Sequence, residues 1–505
     1  EVLRTLAGHH GDAGRVGYDP LVIPGATARE YTEALSDGGA RLQPVAPNLV
    51  DALWQQRPEP PSSLLEPCAP PWTDRSVADK LAALRRDLAV RNADATAVVK
   101  LDQIAWLCNL RSFDDIPYNP VFEAYLLVEA ERTRLFLHGA GGRLPEGWEG
   151  WAAGVEAQPY AAFLPALGEL GPAAVLVDPA RATAGVVEAL EANPATRVIR
   201  GPSPLETAKA VKSAAELEGM ANASLLASVA KVRALLWLRA RLAAGESVTE
   251  QSFAAELERR YAAVPGYRQL SFETIAATGE HGAIVHYGGA DTTPLRAGEL
   301  FLVDSGVQVE GGTTDDTRTV AVGTPGAEQR RIYTLVLKGH IAAARQRFPA
   351  GTPGAALDAL ARAPLWDDQL QYGHGTGHGV GAFLNVHEGP FALAEARRPG
   401  APGHGLQAGM VTSIEPGYYR SGFGGVRLES LYRVVDRGDD ADGSRWLAFE
   451  PLTWIPFEPG LVDDALLDPR ERQWLEGYQN ECLERLRPHL SERQAAGLRA
   501  WLAPA

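Results

Sequence analysis

Residues 299–322 read ELFLVDSGVQVEGGTTDDTRTVAV, two apolar runs of strand character on either side of a Glu-Gly-Gly turn at 310–312. Folded as a hairpin about that turn, they place Asp304 of the first run opposite or diagonal to Asp315 of the second. Opposed residues on one face of a sheet have Cβ atoms roughly 5 Å apart. The stretch therefore predicts an antiparallel hairpin that brings two carboxylates close together.

A second stretch of the same kind lies at 411–435, VTSIEPGYYRSGFGGVRLESLYRVV, with its turn at 421–423. Glu415 and Glu429 are each seven residues from the middle of that turn, so a symmetrical hairpin sets them face to face. Pro416 removes one backbone donor, which allows a bulge that would shift the register. This hairpin predicts a second pair of opposed carboxylates.

Two pairs of opposed acids in apolar strands require an explanation, because like charges facing each other destabilise a sheet. Either each pair shares protons, or cations lie between its members. Four carboxylates balance two divalent cations, and carboxylates that bridge two metals are what a two-metal hydrolase requires. Oxygen ligands suit Mn, Mg or Ca, and one added imidazole shifts the preference towards Mn, Co or Zn. No cysteine is near these acids, which argues against a thiolate zinc site.

The glycine-rich stretch at 373–390, GHGTGHGVGAFLNVHEGP, is the candidate source of that imidazole. Its His374 and His378 have the spacing of a zincin helix, but Gly375 stands where the zincin glutamate would be. Each glycine would also cost a helix about 1 kcal/mol relative to alanine. We therefore predict an extended or looped backbone, with one histidine as ligand and the other beside it in the pocket. The alternative is a glycine-rich loop whose histidines have no ligand role.

The composition bounds the class of protein. A chain of 505 residues exceeds one ordinary core, so two or three domains are expected. The net charge of −15 argues against a nucleic-acid partner and against binding to an anionic membrane, and no apolar run approaches the roughly 20 residues of a membrane span. Three widely spaced cysteines predict no disulfide framework, which fits a reducing cytoplasm. Because the first residue is glutamate, the native start is expected to lie upstream.

The pattern along the chain suggests its organisation. Residues 15–46 have a strand–helix–strand pattern, and the proline-rich stretch 57–72 predicts a stiff linker. Helical and strand-like segments then alternate over 76–201, as in a second α/β domain. A long helical segment follows at 205–244, with a soft break predicted at Gly219.

The remainder of the chain is predicted to be rich in strands. Ser247 and Glu250 have the spacing of a capping box that opens the next helix. Beyond about residue 267 the strand patterns dominate, with one more helix near 327–347. Six histidines without a motif are predicted to be surface or core residues: His9, His10, His138, His340, His404 and His489.

Seven stretches, taken together and in order, carry a family resemblance. They are DQIAWL (102–107), GAIVHY (282–287), LVDSG (302–306) with TTDDTRT (313–319), the glycine-rich stretch, IEPGYY (414–419), VRLE (426–429) and EPLTWIPFEPGLVD (450–463). This series resembles the signatures of the pita-bread metallopeptidases. It is most similar to the long, three-domain, cytosolic-type form of the aminopeptidase P family.

The resemblance implies an α/β (α+β) protein of three domains. Residues 1–62 would be the C-terminal half of a truncated N-terminal creatinase-like domain, and residues 63–202 a second creatinase-like α/β domain. Residues 203–505 would form the pita-bread catalytic domain, a curved antiparallel sheet flanked by helices. Peptides with penultimate proline as partners, a homodimer and a cytoplasmic location are implied in the same way, with no nucleic-acid or membrane partner.

The implied activity is removal of the first residue from peptides with proline in second position, by attack of a hydroxide that bridges two metal ions. The ions would be Mn²⁺, with Zn²⁺ or Co²⁺ as alternatives. Asp315 and Glu429 would bridge them. His378 and Glu415 would complete one site, and Asp304 the other. Glu415 would also be the catalytic base that takes a proton from water and passes it to the prolyl nitrogen.

The resemblance assigns further residues to substrate binding. His286 and His387 would contact the substrate and steady the oxyanion or carry protons, which makes them catalytic as well. His374 would line the pocket, while Tyr419 and Arg427 would support the carboxylate ligands and the substrate pocket.

Two positions depart from the family pattern. Asp316 stands where the family usually has an apolar residue, and we do not expect it to be a ligand. His281 stands where asparagine is usual, just before the predicted IVHY strand, and is expected to be peripheral.

Two other functions remain open on these residues. A prolidase has the same metal set but cleaves only dipeptides. The long spacing in GVGAFLNVHEGP and the three-domain length favour the aminopeptidase. The other alternative is a metal-free binding module on the same fold, against which the retention of all five ligands argues.

Overall fold

A computed structural model describes residues 14–152, 154–395 and 404–503. These residues form two compact units. The first contains the described residues up to Cys68, Arg75–Ile116 and Val121–Glu206, and the second contains Ala69–Asp74, Pro117–Pro120 and the chain from Thr207 onward. The three domain boundaries given above stay a prediction. The start of the first predicted domain, with His9 and His10, lies outside the described residues.

The first unit consists of short strands and helices that alternate along the chain. Its elements are β1 (Arg15–Tyr18), α1 (Gly25–Ser36), β2 (Arg41–Pro44), β3 (Glu66–Pro67), α2 (Val77–Val90), β4 (Ala95–Val98), α3 (Leu101–Leu107), β5 (Leu110–Arg111), β6 (Ala124–Val128), β7 (Thr133–Leu137), α4 (Trp148–Trp151), β8 (Val155–Pro159), α5 (Phe163–Gly168), β9 (Ala173–Val177), α6 (Ala184–Ala192) and β10 (Thr196–Arg200).

A mixed six-stranded sheet organises this unit. Its strand order is β10-β9-β4-β6-β7-β8, with β6 antiparallel to both of its neighbours and the outer pairs parallel. β1 and β2 form a separate parallel pair joined through α1, which confirms the strand–helix–strand pattern. Two parallel strands connected by a helix require the crossover that the sequence pattern suggested.

The second unit contains longer helices and a larger number of strands. Its elements, preceded by α7 (Pro204–Ala210), are α8 (Ala214–Ala243), α9 (Glu250–Ala262), β11 (Tyr267–Leu270), β12 (Ile275–Thr278), β13 (Leu300–Ser305), β14 (Val307–Val309), β15 (Gly312–Thr313), β16 (Asp316–Ala321), α10 (Ala327–Ala344), β17 (Arg347–Pro349), α11 (Gly354–Trp366), β18 (Gly377–Gly379), β19 (Glu388–Leu393), β20 (Val411–Ile414), β21 (Gly417–Arg420), β22 (Gly424–Arg427), β23 (Ser430–Asp439), β24 (Arg445–Pro451), α12 (Pro469–Leu486) and α13 (Glu492–Leu502).

All strand pairs of the second unit are antiparallel, as expected for a pita-bread domain. The largest sheet has the order β17-β24-β23-β20-β18-β19, and two three-stranded sheets have the orders β11-β14-β15 and β12-β13-β16. β21 and β22 form a separate ribbon. The sequence prediction of a curved antiparallel sheet flanked by helices is confirmed for this unit.

The first carboxylate hairpin has the predicted register. β14 and β15 pair about the turn, with Val309 opposite Gly312. β13 and β16 continue this pairing, with Asp304 opposite Thr317. Asp315 is two residues before Thr317, so the two aspartates are diagonal neighbours, which is one of the two predicted arrangements.

The core of this unit contains the long helix α8. By length and composition α8 could cross a membrane, but 61% of its apolar window is buried inside the protein, as in a core helix. Phe253 of α9 packs edge-to-face on Phe301 of β13, with ring centroids 5.0 Å apart. His340 is fully buried, which confirms a core position for it. Across the two units, Cys68, Cys108 and Cys482 are free and buried.

The long helical segment breaks at residues 211–213, where Ser213 caps α8, so the predicted break at Gly219 is wrong. Gly219 instead permits a close approach. A Cβ on Gly219 would lie 2.4 Å from the carbonyl oxygen of Gly311, in the turn of the first hairpin. The glycine lets α8 pack directly on that turn.

The next helix begins differently from the prediction. α9 is capped by Thr249 and Ser252, whose side chains and backbone N–H groups bond reciprocally. The predicted capping box of Ser247 and Glu250 is therefore wrong. Glu250 is the first residue of the helix and is fully buried, so its carboxylate is available for contacts outside the helix.

Replacing Gly219 with alanine should destabilise the second unit. The added methyl cannot be accommodated without moving α8 away from the hairpin turn, and such overpacking costs about 1–3 kcal/mol. Gly477→Ala is the matched control, because Gly477 lies inside α12 with nothing within 4 Å of its added Cβ. That variant should be unchanged or up to about 1 kcal/mol more stable. Urea unfolding measures both; equal stabilities of the two variants would contradict the close contact.

Candidate metal centre

The second hairpin keeps its register through the proline. Ile414 pairs with Ser430, and Gly417 pairs with Arg427, so the residue count is the same on both sides of Pro416. The register shift that the proline allowed does not occur. The symmetrical hairpin is therefore confirmed.

Glu415 and Glu429 face each other in this register, but their backbones bond elsewhere. The N–H of Glu415 donates to the carbonyl of Thr376 at 2.7 Å, and the N–H of Glu429 donates to the carbonyl of Thr317 at 3.1 Å. The two strands therefore separate at the glutamates. The backbone of Glu415 bonds to the glycine-rich stretch, and the backbone of Glu429 bonds to the first hairpin. His378 and the four acids lie together at this opening between the strands.

The glycine-rich stretch is extended here, as predicted, and forms β18 rather than a helix. A Cβ on Gly377 would lie 2.1 Å from the carbonyl oxygen of Ser413, so only glycine lets this strand approach β20 so closely. Nδ1 of His378 donates to the carbonyl of Gly379 at 3.0 Å. This bond orients the ring and leaves Nε2 free to face the carboxylates.

Five side chains form two overlapping groups at the opening. Asp304, Asp315 and Glu429 offer oxygens within 4.8 Å of one another. His378, Glu415 and Glu429 also offer ligand atoms within 4.8 Å of one another, so Glu429 belongs to both groups. His378 Nε2 lies 3.4 Å from Asp315 Oδ2 and 3.5 Å from Glu415 Oε1. Two ligand groups that share a carboxylate have the form of a two-metal site.

One buried atom gives a separate indication of a cation. Asp304 Oδ2 accepts a hydrogen bond from Arg427 at 2.7 Å, but Oδ1 has no hydrogen-bond partner among the described residues. A buried carboxylate oxygen without a partner is costly. A divalent cation held by Asp304, Asp315 and Glu429 would satisfy it, so the donor set fits such an ion.

Three of the carboxyl groups resist ionisation in the absence of metal. Burial, reinforced by the neighbouring acids, raises the pKa of Glu415 to about 7 and holds the pKa of Glu429 well above its usual value. Burial likewise raises the pKa of Asp315. Burial by itself would lower the pKa of His378, but its bond with Asp315 and the charge of Glu415 outweigh that effect and raise it to about 9. The protein alone lacks the positive charge that its acids require.

Arg427 holds the ligands through hydrogen bonds. In addition to its bond with Asp304, its Nε donates to Thr317 Oγ1 at 3.1 Å, and Thr317 in turn donates to Glu429 at 2.7 Å. Arg427 also donates to the Tyr419 hydroxyl at 2.9 Å. Arg427 therefore orients one carboxylate of each hairpin, Asp304 directly and Glu429 through Thr317. This agrees with the supporting role that the family resemblance implied.

The predicted substrate histidines occupy different surroundings. His374 Nε2 lies 2.9 Å from the Tyr419 hydroxyl, and the His387 ring lies 4.1 Å from the His378 ring. Desolvation lowers the pKa of His374 and of His387 to about 4, so both rings are neutral near neutral pH. His286 is exposed in a turn that follows the short 3₁₀ helix at 279–283, so the predicted IVHY strand is wrong.

A cavity of about 800 Å³ contains nearly all the predicted site residues. It is lined by the five predicted ligands together with Arg427, His286, His374 and His387. Tyr419 is the exception, since it is not among the lining residues and bonds to His374 and Arg427 behind them. The fold therefore brings together residues from segments more than a hundred positions apart.

Sequence reasoning missed the role of Glu250. Its carboxylate accepts hydrogen bonds from the Thr278 N–H at 2.7 Å and from the Tyr287 hydroxyl at 3.3 Å, and it lies 3.0 Å from His281 Nδ1. Tyr287 lines the cavity beside His286. Glu250 thus holds the loop that forms one cavity wall, and the peripheral His281 takes part in this contact. The acidic residue at a helix start gave no signal of this role.

Asp316 is excluded from the ligand set by an ion pair. Its carboxylate contacts the buried ammonium group of Lys231, which also donates to the Asp316 carbonyl at 2.6 Å. A buried charge is tolerated when it is paired in this way. The prediction that Asp316 is not a ligand agrees with this geometry.

An antiparallel pita-bread unit with overlapping carboxylate and histidine ligands in a cavity defines a metallohydrolase of the two-metal class. Comparisons with known proteins agree. Residues 218–436 match metallopeptidase family M24, residues 56–216 match the creatinase/prolidase N-terminal domain, and residues 445–505 match the C-terminal region of peptidase M24.

Individual relatives show to which group of proteins within this family the chain is similar. A probable Xaa-Pro aminopeptidase P of Laccaria bicolor is 38% identical over 94% of this chain and 75% of its own length. Aminopeptidase P2 of Arabidopsis thaliana is 36% identical over 94% of this chain and 71% of its own. This chain belongs to metallopeptidase family M24, among the Xaa-Pro aminopeptidase P proteins.

Solved structures agree with this assignment. The crystal structure of X-prolyl aminopeptidase from Caenorhabditis elegans, described as a cytosolic enzyme with a di-nuclear active site, has a TM-score of 0.92 and 32% identity, and the match covers 100% of this chain and 83% of that one. Xaa-Pro dipeptidase from Bacillus anthracis has a TM-score of 0.59 at 24% identity, over 76% of this chain and 99% of that one, and shares the fold.

Metal binding should release protons and strengthen as the pH rises. Glu415, with a pKa raised to about 7, is protonated below that pH, and His378 is protonated below about 9, so a metal must displace these protons. Titration of the metal-free protein with Mn²⁺ at pH 6, 7 and 8, in buffers of different ionisation enthalpy, measures affinity and proton release together. Glu415→Gln should weaken the pH dependence near 7. If the measured affinity for Mn²⁺ does not change between pH 6 and pH 8, the proposed ligand set is wrong.

Proposed function

We propose that this chain is a metal-dependent aminopeptidase that removes the first residue from peptides with proline in second position. The observation that carries the proposal is the pair of ligand groups that share Glu429 on the wall of one cavity. The names of its relatives supply the reaction, because the fungal, plant and nematode proteins are Xaa-Pro or X-prolyl aminopeptidases or aminopeptidase P. The cavity volume of about 800 Å³ is adequate for a short peptide.

The proposed ligands are the five residues of the two groups. Asp315 and Glu429 would be shared, His378 and Glu415 would complete one site, and Asp304 the other. When bound, two divalent ions would polarise the scissile carbonyl and lower the pKa of a water so that it attacks near neutral pH. Mn²⁺ is the proposed metal, with Zn²⁺ or Co²⁺ as alternatives, because four carboxylates and one imidazole suit these ions.

Glu415 is the proposed base. Its raised pKa of about 7 matches a group that both accepts and returns a proton near neutral pH. Its Oε1 lies 3.3 Å from the hydroxyl of Ser413, which donates to it and fixes its orientation. We propose that Glu415 takes a proton from the attacking water and passes it to the nitrogen of the proline as the bond breaks.

Three histidines that line the cavity are proposed to act on the substrate. His387 and His286 line the cavity from different segments, and either ring can donate a hydrogen bond to the oxygen that gains charge on the scissile carbonyl. His374 is proposed to line the pocket, with its ring oriented by Tyr419. Arg427, which also lines the cavity, is proposed to support the ligands and the substrate pocket.

We further propose a cytoplasmic homodimer with no nucleic-acid or membrane partner. The net charge of −15 opposes binding to polyanions. Free, buried cysteines and the description of the nematode relative as cytosolic support the location. The dimer is supported by the family resemblance.

Glu415→Gln and His378→Ala should each lower kcat/KM for a penultimate-proline peptide by at least about 10²-fold, because Glu415 is the proposed acid–base group and His378 is proposed to hold the metal that activates the water. Circular dichroism and thermal unfolding should show an intact fold in both. Glu476→Gln, which removes an exposed carboxylate on α12, is the control and should keep full activity. Retention of more than half the activity in either site variant would sink the proposed centre.

The length of the substrate separates this function from that of a prolidase. The metal-reconstituted protein should release the first residue from an Xaa-Pro-Xaa tripeptide, because a cavity of about 800 Å³ has room for a residue beyond the proline. Mass spectrometry of the products measures this directly, with an Xaa-Ala-Xaa tripeptide as control. Cleavage confined to Xaa-Pro dipeptides would support a prolidase instead. No cleavage and no stoichiometric metal would support a binding module.

A further inference from the structure

A bulge lies beside the first hairpin. Leu270, the last residue of β11, pairs with Val307, and Ile275, the first residue of β12, pairs with Asp304. Four residues, 271–274, therefore stand opposite only two on the facing strand, 305–306. Extra residues in one strand of an antiparallel pair push side chains out of the regular pattern, and such bulges are frequent next to active sites.

The bulge is fixed to the hairpin that carries the aspartates. The Ser271 N–H donates to the carbonyl of Gly306 at 3.0 Å, and the Ser271 hydroxyl donates to the carbonyl of Thr314 at 2.8 Å. The Phe272 ring packs over Gly306, where an added Cβ would lie 2.9 Å from Cε1 of the ring. These contacts hold the bulge at a set position relative to Asp304 and Asp315, which are close to its anchors in the sequence.

The bulge directs Phe272 and Glu273 into the cavity that contains the metal ligands. Five carboxylates line this cavity, and the other four are the proposed ligands Asp304, Asp315, Glu415 and Glu429. The Glu273 side chain is exposed and has no hydrogen bond or ion pair within the part of the chain that the structure describes. Arg427, the arginine that lines this cavity, already donates a hydrogen bond to Asp304. Glu273 therefore presents a negative charge to whatever enters.

Apolar side chains line the same cavity as Glu273. Phe272 and Ile275 line the cavity on either side of it in the sequence, and Val285 lines it as well. An apolar wall that ends in a carboxylate matches a lysine or arginine side chain, whose methylene stem packs on apolar surface while its charged end reaches a polar partner. An aromatic ring near the cation adds a favourable electrostatic contact.

We propose that Glu273 is a specificity residue that selects peptides whose first residue is arginine or lysine. The proposal rests on the proposed aminopeptidase function. Glu273 is two residues from Ile275, the strand partner of Asp304, so their backbones are at most about 7 Å apart. The carboxylate therefore lies on the Asp304 side of the cavity. We place the amino-terminal end of the peptide on this acidic side because that end carries a cation. The α-ammonium group is the other cation at that end, and the experiment distinguishes the two.

The test compares two peptides that differ in charge but not in shape. Arg-Pro-Pro and citrulline-Pro-Pro are assayed with the native protein, Glu273→Gln and the control Glu476→Gln, and kcat and KM are measured separately. The native protein should prefer arginine over citrulline by about fivefold, the effect of one partly exposed ion pair. Glu273→Gln should abolish this preference through KM with kcat unchanged, and the preference should shrink in high salt. Glu273→Lys should favour Glu-Pro-Pro instead.

Three results would overturn the assignment. Equal use of arginine and citrulline by the native protein is the first. The second is an arginine preference that survives in Glu273→Gln. The third is an equal loss on both peptides in Glu273→Gln, which would assign the carboxylate to the α-ammonium group instead of the side chain.

Binding to an inactive protein separates this proposal from the proposed function. In the Glu415→Gln background, calorimetry should give a dissociation constant for Arg-Pro-Pro about fivefold lower than for citrulline-Pro-Pro, and adding Glu273→Gln should remove the difference. Preferential binding without any turnover by the native protein would sink the aminopeptidase function and leave the cation site intact. Turnover by the native protein together with equal binding of the two peptides would support the aminopeptidase function and contradict the cation site at Glu273.

Discussion

Mutual repulsion among four carboxylates on the wall of one cavity is the constraint on which the catalytic unit depends. Asp304 and Asp315 come from one hairpin, and Glu415 and Glu429 from another. Burial raises the pKa of three of these four groups, with Glu415 brought to about 7, because ionised oxygens so close together lack counter-charge. Either bound protons or bound cations must offset this charge, so the repulsion that keeps the acids protonated in the empty protein also makes the site suited to two divalent ions.

The surrounding structure holds the acids together against this repulsion. The ladder of the second hairpin opens at its glutamates, and each backbone finds a new partner in a neighbouring segment. Arg427 bonds to Asp304 and, through Thr317, to Glu429. The buried guanidinium of Arg318 donates to the carbonyls of Glu429 and Ile455, which connects the hairpin to the segment after β24. A ligand position is thus fixed from several directions, as a preorganised site requires.

Different parts of the unit serve chemistry and recognition. The paired hairpins carry the four carboxylates proposed as metal ligands, including the proposed base Glu415, and their geometry follows from regular strand pairing. The walls of the cavity come from irregular segments: the bulge that carries Glu273 and the loop of His286 and Tyr287 held by Glu250. Because irregular segments change without disturbing the ladder, substrate preference can vary while the metal centre stays the same.

The sequence by itself determined the members of each carboxylate pair and the family, and it predicted His378 as the single imidazole ligand. Register in a hairpin is a local property: residues at equal distance from a turn face each other, so counting from Gly422 was enough for Glu415 and Glu429. Only the tertiary structure decided what depends on contacts between distant segments. Examples are the approach of Gly219 to Gly311, the role of Glu250 and the bulge at residues 271–274. No local pattern encodes these contacts, because the free energy that selects them arises only when separate elements pack together.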